Sequence, residues 1–194
     1  SAYYSHGDDF LYYVDTGIPV AGGGYWATRN YQIKQNVGEV RIYGLEIDLR
    51  YDVRDNIAVY ANYAFADSEI TDYQVPNFAG ATDLEGNDLR SSPRHLVNVG
   101  TDVETPWINV NLNAKWKDAY YTDDINSEPY ETDSFLMVDI RLWRRLGDHL
   151  RIALDIKNLL DEEHTDTPAG EINGFSLASS NPGCSFLASA TLSF

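Results

Sequence analysis

The residues best suited to chemistry in this chain are carboxylates gathered on turn-rich segments. The run "TDDINSEPYETD" (122–133) supplies Asp123, Asp124, Glu128, Glu131 and Asp133. Such a set could offer Ca²⁺ the six to eight oxygen ligands that it takes. The spacing is not that of an EF-hand loop, however, and no glycine stands at a sharp turn. A solvated acidic loop accounts for the same run, and that is the reading adopted, as it is for "DLEGND" (83–88). The histidines, His6, His95, His149 and His164, are scattered without a ligand spacing such as HxxxH. No nucleophile elbow, Walker loop or GxGxxG occurs. No catalytic residue, cofactor or metal ligand is therefore assigned, and the expectation is a protein that is not an enzyme.

A second set of polar residues is ordered by period. Glu46, Asp48 and Arg50 alternate with Leu45, Ile47 and Leu49. Asn109, Asn111 and Asn113 alternate with Ile108, Val110 and Leu112, and Asp139 and Arg141 with Val138, Ile140 and Leu142. Arg151, Asp155 and Lys157 alternate with Ile152, Leu154 and Ile156. Strand side chains alternate between faces, so each segment has one apolar face and one polar face. The polar faces could line a substrate path or grip a domain held against them. Opposite charges on neighbouring strands could equally pair with one another.

The elements that must position these residues are β-strands. Residues 2–14 read as a Tyr- and Phe-rich strand, followed by a glycine-rich loop at 15–28. A stretch at 29–52 would run to about 80 Å if unbroken, so it either projects well above a membrane or bends at Gly38 or Gly44. Further strands follow near 57–67, 93–104, 108–121, 135–145 and 150–160. The last is "CSFLASATLSF", with Phe186, Ala188, Ala190, Leu192 and Phe194 on one face and mostly hydroxyls on the other. The long connections (15–28, 68–91, 122–133, 161–183) are interleaved with short ones (53–56, 105–107, 146–149). Outer-membrane barrels sort their loops in this way, with apolar residues toward lipid and polar residues toward the lumen. Tyr51, Tyr63, Phe65, Trp107, Trp116, Tyr120 and Phe194, with Tyr12, Tyr13 and Tyr121, fall near span ends, where amphipathic rings sit at headgroup level.

Bulk properties agree with this reading. Aromatics make up 13% of the chain, with 14 Tyr and 4 Trp, a high load for a soluble domain. The mean hydropathy of -0.38 and the lack of a long uncharged apolar run exclude a bundle of transmembrane helices. A net charge of -16 argues against nucleic acid as a partner. Cys184 is the single cysteine, so no intrachain disulfide forms. The opening "SAYYSHGDDF" does not read as a signal peptide.

Several blocks in order resemble the late barrel of TonB-dependent outer-membrane receptors: "NVGEVRIYGLEIDLRYDV", "IAVYANYAFADSEI", "LRSSPRH", "VDIRLWRRL", "ALDIKNLLDEEH" and "NPGCSFLASATLSF". Leu160, His164 and Cys184 depart from the residues usual for the family in the last two blocks. The resemblance implies an all-β, antiparallel transmembrane β-barrel, with about eight strands here as the last part of a 22-stranded barrel. Residues 1–194 would be its C-terminal portion, without the plug domain and the early strands. It further implies the outer membrane of a Gram-negative-type bacterium and uptake of a scarce nutrient such as a metal–siderophore chelate, haem or cobalamin. The partners implied are outer-membrane lipid, a small-molecule ligand, the TonB complex through the missing plug, and the barrel assembly machinery through the C-terminal strand ending in Phe194. Two other readings stay open: a self-contained eight-stranded barrel with a structural, adhesive or enzymatic role, and a soluble β-sandwich binding module.

Overall fold

In the computed structural model the backbone is described for residues 1–8, 11–19, 30–36, 38–77, 80–172, 175–180 and 182–193. Side chains are described for 1–8, 38–74, 83–128, 130–164 and 182–193. Eight strands form one sheet: β1 (Ala2–Gly7), β2 (Glu39–Arg54), β3 (Ile57–Asp72), β4 (His95–Val103), β5 (Asn109–Lys117), β6 (Phe135–Leu146), β7 (Leu150–Lys157) and β8 (Ser185–Leu192). They lie side by side in chain order, and every pair is antiparallel. Among the described residues β1 and β8 are not paired, so the sheet is open, unlike a self-contained eight-stranded barrel.

The register carries each strand's alternation across the whole sheet. Ile47 faces Tyr63, Tyr63 faces Val97, Val97 faces Trp116, and Trp116 faces Leu136. The opposite face carries the polar row Asp48, Asn62, Asn98 and Lys115 in the same way. A one-residue slip would move every apolar side chain to the polar face, so the pattern specifies the pairing strongly. The apolar face is bare: Phe186 is 69% exposed, Tyr51 68% and Leu49 62%. A soluble sandwich would cover such a face with a second sheet about 10 Å away, and none is present among the described residues. The apolar band along β3 from Ile57 to Phe65 is ~26 Å long, or roughly 20 Å in height at a 40° tilt, close to the lipid-facing band of a membrane barrel.

Three expectations change in detail. The 2–14 segment is not one strand: β1 ends at Gly7, and Leu11–Pro19 pairs separately with Asn30–Asn36. Residues 15–19 of the expected 15–28 loop thus belong to a two-stranded ladder. The 29–52 stretch breaks at Gly38, whose φ of +78° suits glycine. A Cβ there would run into the Asp72 carbonyl and come within 2.8 Å of Tyr73 Cβ. The 68–91 and 161–183 loops also hold short ladders, Gln74–Asn77 with Gly80–Asp83 and Thr165–Ile172 with Phe175–Ser180.

The tightest core is small and lies at the long-loop end. Val40, Ile70, Tyr73, Leu84 and Leu89 pack together with Ile42, and Ile70 and Leu84 are both 1% exposed. Val40 and Ile70 face each other on the side of the sheet that carries the polar row. The loop after β3 therefore folds in over that side and makes it apolar above the polar row.

Candidate functional site

The polar face carries bonded side chains on six strands, β2 to β7. Asn62 Nδ2 donates to Asp48 Oδ1 at 2.6 Å, and Asn98 Nδ2 donates to Asn62 Oδ1 at 2.9 Å. Asn111 Nδ2 donates to Asp102 Oδ1 at 2.7 Å, and Arg50 Nη1 reaches the other oxygen of that carboxylate at 3.4 Å. Tyr60 OH donates to Asn113 Oδ1 at 3.2 Å. Asp139 accepts from Lys157 Nζ at 3.0 Å and has Lys115 Nζ at 4.0 Å; Arg141 lies 3.6 Å from Asp155. Strands 4.8 Å apart bring charges of opposite sign within reach where the register places them opposite or diagonal.

A concavity of about 460 Å³ opens on this face, with Glu46 and Asp48 on one side and Lys115 and Lys117 on the other. Asn62 and Asn98 form its floor, and Asn98 Oδ1 is buried without a hydrogen-bond partner among the described residues. Leu96, Phe135 and Met137 add apolar lining, so this surface sets donors and acceptors beside an apolar wall.

The register places Glu46, Asp48, Arg50, Asn109, Asn111, Asn113, Asp139, Arg141, Arg151 and Asp155 on this one face. Arg151 differs from the others. It faces Arg145 across the β6–β7 hairpin, and its guanidinium stacks 4.3 Å from the ring centroid of Trp143. Of the aromatics, Tyr51, Tyr63, Phe65 and Trp116 lie on the apolar face. Tyr63 OH is 2.9 Å from His95 Nδ1, and Trp107 stands in a short turn, 74% exposed. Tyr120 is not on that face, which corrects the expectation of an interface ring. β5 ends at Lys117, and Tyr120 begins a two-residue ladder with Glu131–Thr132, 7% exposed, with Lys117 Nζ 4.2 Å from its ring centroid. The side chains of Tyr12 and Tyr13, and the whole of Phe194, lie outside the described residues.

The acidic loop uses its own carboxylates. Asp123 accepts from Ser127 N–H at 3.0 Å and Ser127 Oγ at 2.6 Å, and Asp124 lies 3.7 Å from Arg90. Asp88 accepts from Arg94 Nη2 at 2.9 Å. The two long loops are joined through Asn126, a residue the sequence reading did not single out. Its Oδ1 accepts from Asp88 N–H at 2.7 Å, and its Nδ2 donates to Asp88 O at 3.0 Å. Ser91 N–H also donates to Tyr121 O at 2.7 Å. Asn126 sits at φ +55°, a region Asn tolerates better than most residues. The signal available in sequence was an Asn closing a polar turn. Asn126→Ala is expected to raise amide exchange in 84–92 and 120–130 together, by about tenfold. Faster exchange in one loop alone would contradict the coupling.

Tyr73, beneath these loops, has its phenol pKa raised above 10.0, first by burial and then by the charge of Asp124. A raised folded-state value favours the neutral phenol. The stability this contributes is complete below pH 10 and is lost as pH rises through the raised value. Loop protection should therefore fall above pH 10 in the native protein and fall less in Tyr73→Phe, as read by exchange at Leu84 and Leu89.

A second polar hub joins the β7 exit to the entry of β8. Asn158 Oδ1 accepts from Glu162 N–H at 2.9 Å, and its Nδ2 donates to Glu162 O at 2.9 Å and Pro182 O at 3.2 Å. Cys184 N–H donates to Asp161 Oδ1 at 2.7 Å. His164 is buried, with its ring centroid 3.5 Å from that of Phe135. His6, Asp8 and Glu39 come together at the exposed top of β1 and β2, with His6 Nε2 2.9 Å from Asp8. Sequence spacing hid this group because Glu39 is remote in the chain.

Comparison with known proteins follows the same architecture. Residues 1–159 match the family model described as TonB dependent receptor-like, beta-barrel. The chain is 26% identical over 134 residues to a probable TonB-dependent siderophore receptor, PiuA, of Acinetobacter baumannii, covering 66% of this chain and 18% of that protein. It is similar to the crystal structure of the ferric yersiniabactin uptake receptor FyuA from Yersinia pestis: TM-score 0.74, 15% identity, 98% of this chain and 26% of that one. A mutant of the ferric enterobactin receptor PfeA from Pseudomonas aeruginosa, in complex with enterobactin, matches with TM-score 0.68 and 18% identity over 100% of this chain and 28% of that one. The chain spans less than a third of each of these proteins.

Proposed function

Because the chain belongs to the TonB-dependent receptor-like β-barrel family, we propose that it forms the last third of the wall of a receptor importing a ferric siderophore. The family's members are outer-membrane β-barrels of Gram-negative bacteria, with 22 strands in the barrel. The observation that carries the reading is the pairing of a bare apolar face with a networked polar face on eight strands in unbroken chain order. The apolar face turns to lipid and the polar face to the lumen. The rim formed by 73–94 and 118–134 helps shape the outer mouth. Asn109, Asn111, Asn113 and the β8 hydroxyls suit a wide lumen holding water or a plug.

The ligand class rests on the siderophore named for the A. baumannii relative and the ferric chelates named for the similar structures. Passage is selective binding followed by plug movement driven by the TonB complex, with no covalent step.

The test uses the full-length receptor in a host lacking its own iron-chelate receptors. Radio-iron uptake from a panel of ferric siderophores should appear with the gene and vanish when the TonB complex is removed. Uptake of haem or cobalamin with none of any ferric chelate would overturn the ligand class. Uptake unaffected by TonB loss would overturn the mechanism.

A further inference from the structure

We propose that the apolar face carries a discrete phospholipid site at the short-turn end of β5–β8, with Arg144 holding the lipid phosphate. It rests on the reading that this face contacts lipid. In the register, Arg144 faces Ile152 one row inside the turn that joins β6 to β7. Its neighbours on that face are Leu142, Leu146, Ile152 and Leu154. Among the described residues it is the one Lys, Arg, Asp or Glu on the apolar face of β4 to β8. It is exposed, and no described carboxylate lies within ion-pair reach. A guanidinium on a lipid-facing wall is costly at the midplane and nearly free of cost at the interface. Its stem lies along apolar surface while the head reaches the headgroup layer.

The second observation is the shape beside it. A trough of about 520 Å³ is bounded by Ile108, Leu142, Arg144, Ile152 and Leu154, with Ala188 and Ala190 on its far side. The trough exists because β8 presents two alanines between Phe186 and Leu192, where Ala188 faces Leu154 and Ala190 faces Ile152. From the Arg144–Ile152 row it extends to the Leu142–Leu154 row, away from the short turn. That is the direction in which an acyl chain hangs from a phosphate held at Arg144. Short turns face the periplasm in these barrels, so the occupant is a glycerophospholipid of the inner leaflet. An unpaired guanidinium favours a headgroup of net negative charge, phosphatidylglycerol over phosphatidylethanolamine, through charge-assisted hydrogen bonds.

The experiment is native mass spectrometry of the full receptor, released from detergent in the presence of phosphatidylglycerol or phosphatidylethanolamine. Heat-modifiable gel migration confirms folding of each variant. One phosphatidylglycerol should be retained, with binding about tenfold weaker in Arg144→Gln, as expected for loss of a charge-assisted bond. Ala190→Leu, which fills the trough but leaves Arg144 intact, should weaken it similarly. Equal retention by the native protein and both variants overturns the site, as does equal retention of the two lipids. A nitroxide at Leu112→Cys in bilayers separates the two ideas. If dissolved oxygen does not reach it, the lipid-facing reading falls too; if oxygen reaches it while retention is unchanged, the site alone falls.

Discussion

Asn158→Ala should lower stability by about 4 kcal/mol and open the segment from 158 to 184 to proteolysis. Asn158 is 2% exposed and its side chain makes three hydrogen bonds, two to Glu162 and one to Pro182. Each is worth ~1 kcal/mol net, and all three are partly shielded from solvent. Its φ of +51° adds a second cost, because alanine in the left-handed region is strained by ~1 kcal/mol. Asn158→Gly relieves the backbone and not the hydrogen bonds, so it should recover about 1 kcal/mol of the loss. Urea unfolding of the full receptor in micelles, with limited proteolysis alongside, reads both. If the glycine and alanine variants were equally unstable, the backbone part of the argument would be wrong.

The second large effect is expected at Gly100. A Cβ there would collide with the ring of Tyr60 and come within 2.6 Å of the Leu112 carbonyl oxygen. Gly100 faces Tyr60 on β3 and Asn113 on β5, and it lets the Tyr60 ring lie flat across the strand. From there Tyr60 OH reaches Asn113, with Asn111 Nδ2 at 3.4 Å. Gly100→Ala should cost about 2–3 kcal/mol through overpacking and the displaced tyrosine. In a Tyr60→Ala background the cost should shrink by ~1 kcal/mol, because the contact with the ring is gone while that with the Leu112 backbone remains. Additive losses in the double variant would show that the ring is not what the glycine accommodates.

What could be read from the sequence follows from what period two encodes. Tyr43 to Tyr51 and Ile108 to Trp116 alternate so regularly that strand and face were both legible. A break at Gly38 was one of two glycine bends the length of the 29–52 stretch allowed, and sequence alone did not choose it over Gly44 or over an unbroken projecting strand. The loop ladders at 74–83 and 165–180 were missed because both of their faces mix polar and apolar residues, so no alternation marks them. Tyr120 was misplaced for a related reason: aromatics continue past Lys117 while the pairing does not. Asn126 and Asn158 act through left-handed backbone and amide geometry, which an Asn in a polar turn suggests but does not locate. The partners of Arg50 and Arg151 depended on register across two strands, and no single segment contains that information.

The strictly sequential order of the sheet has a consequence for how such a wall changes over generations. Among the described residues each of the eight sheet strands bonds only to the sheet strands before and after it, so within this part of the wall no strand has a remote partner that a duplication would strand. Copying or deleting one up-and-down pair leaves every other pairing, and the inside–outside sense of every side chain, as it was. Adding or removing a single strand would instead reverse the direction of all that follow and exchange the long loops with the short turns. Lineages built on this plan should therefore grow and shrink two strands at a time, and widen their pore by inheritance of whole hairpins.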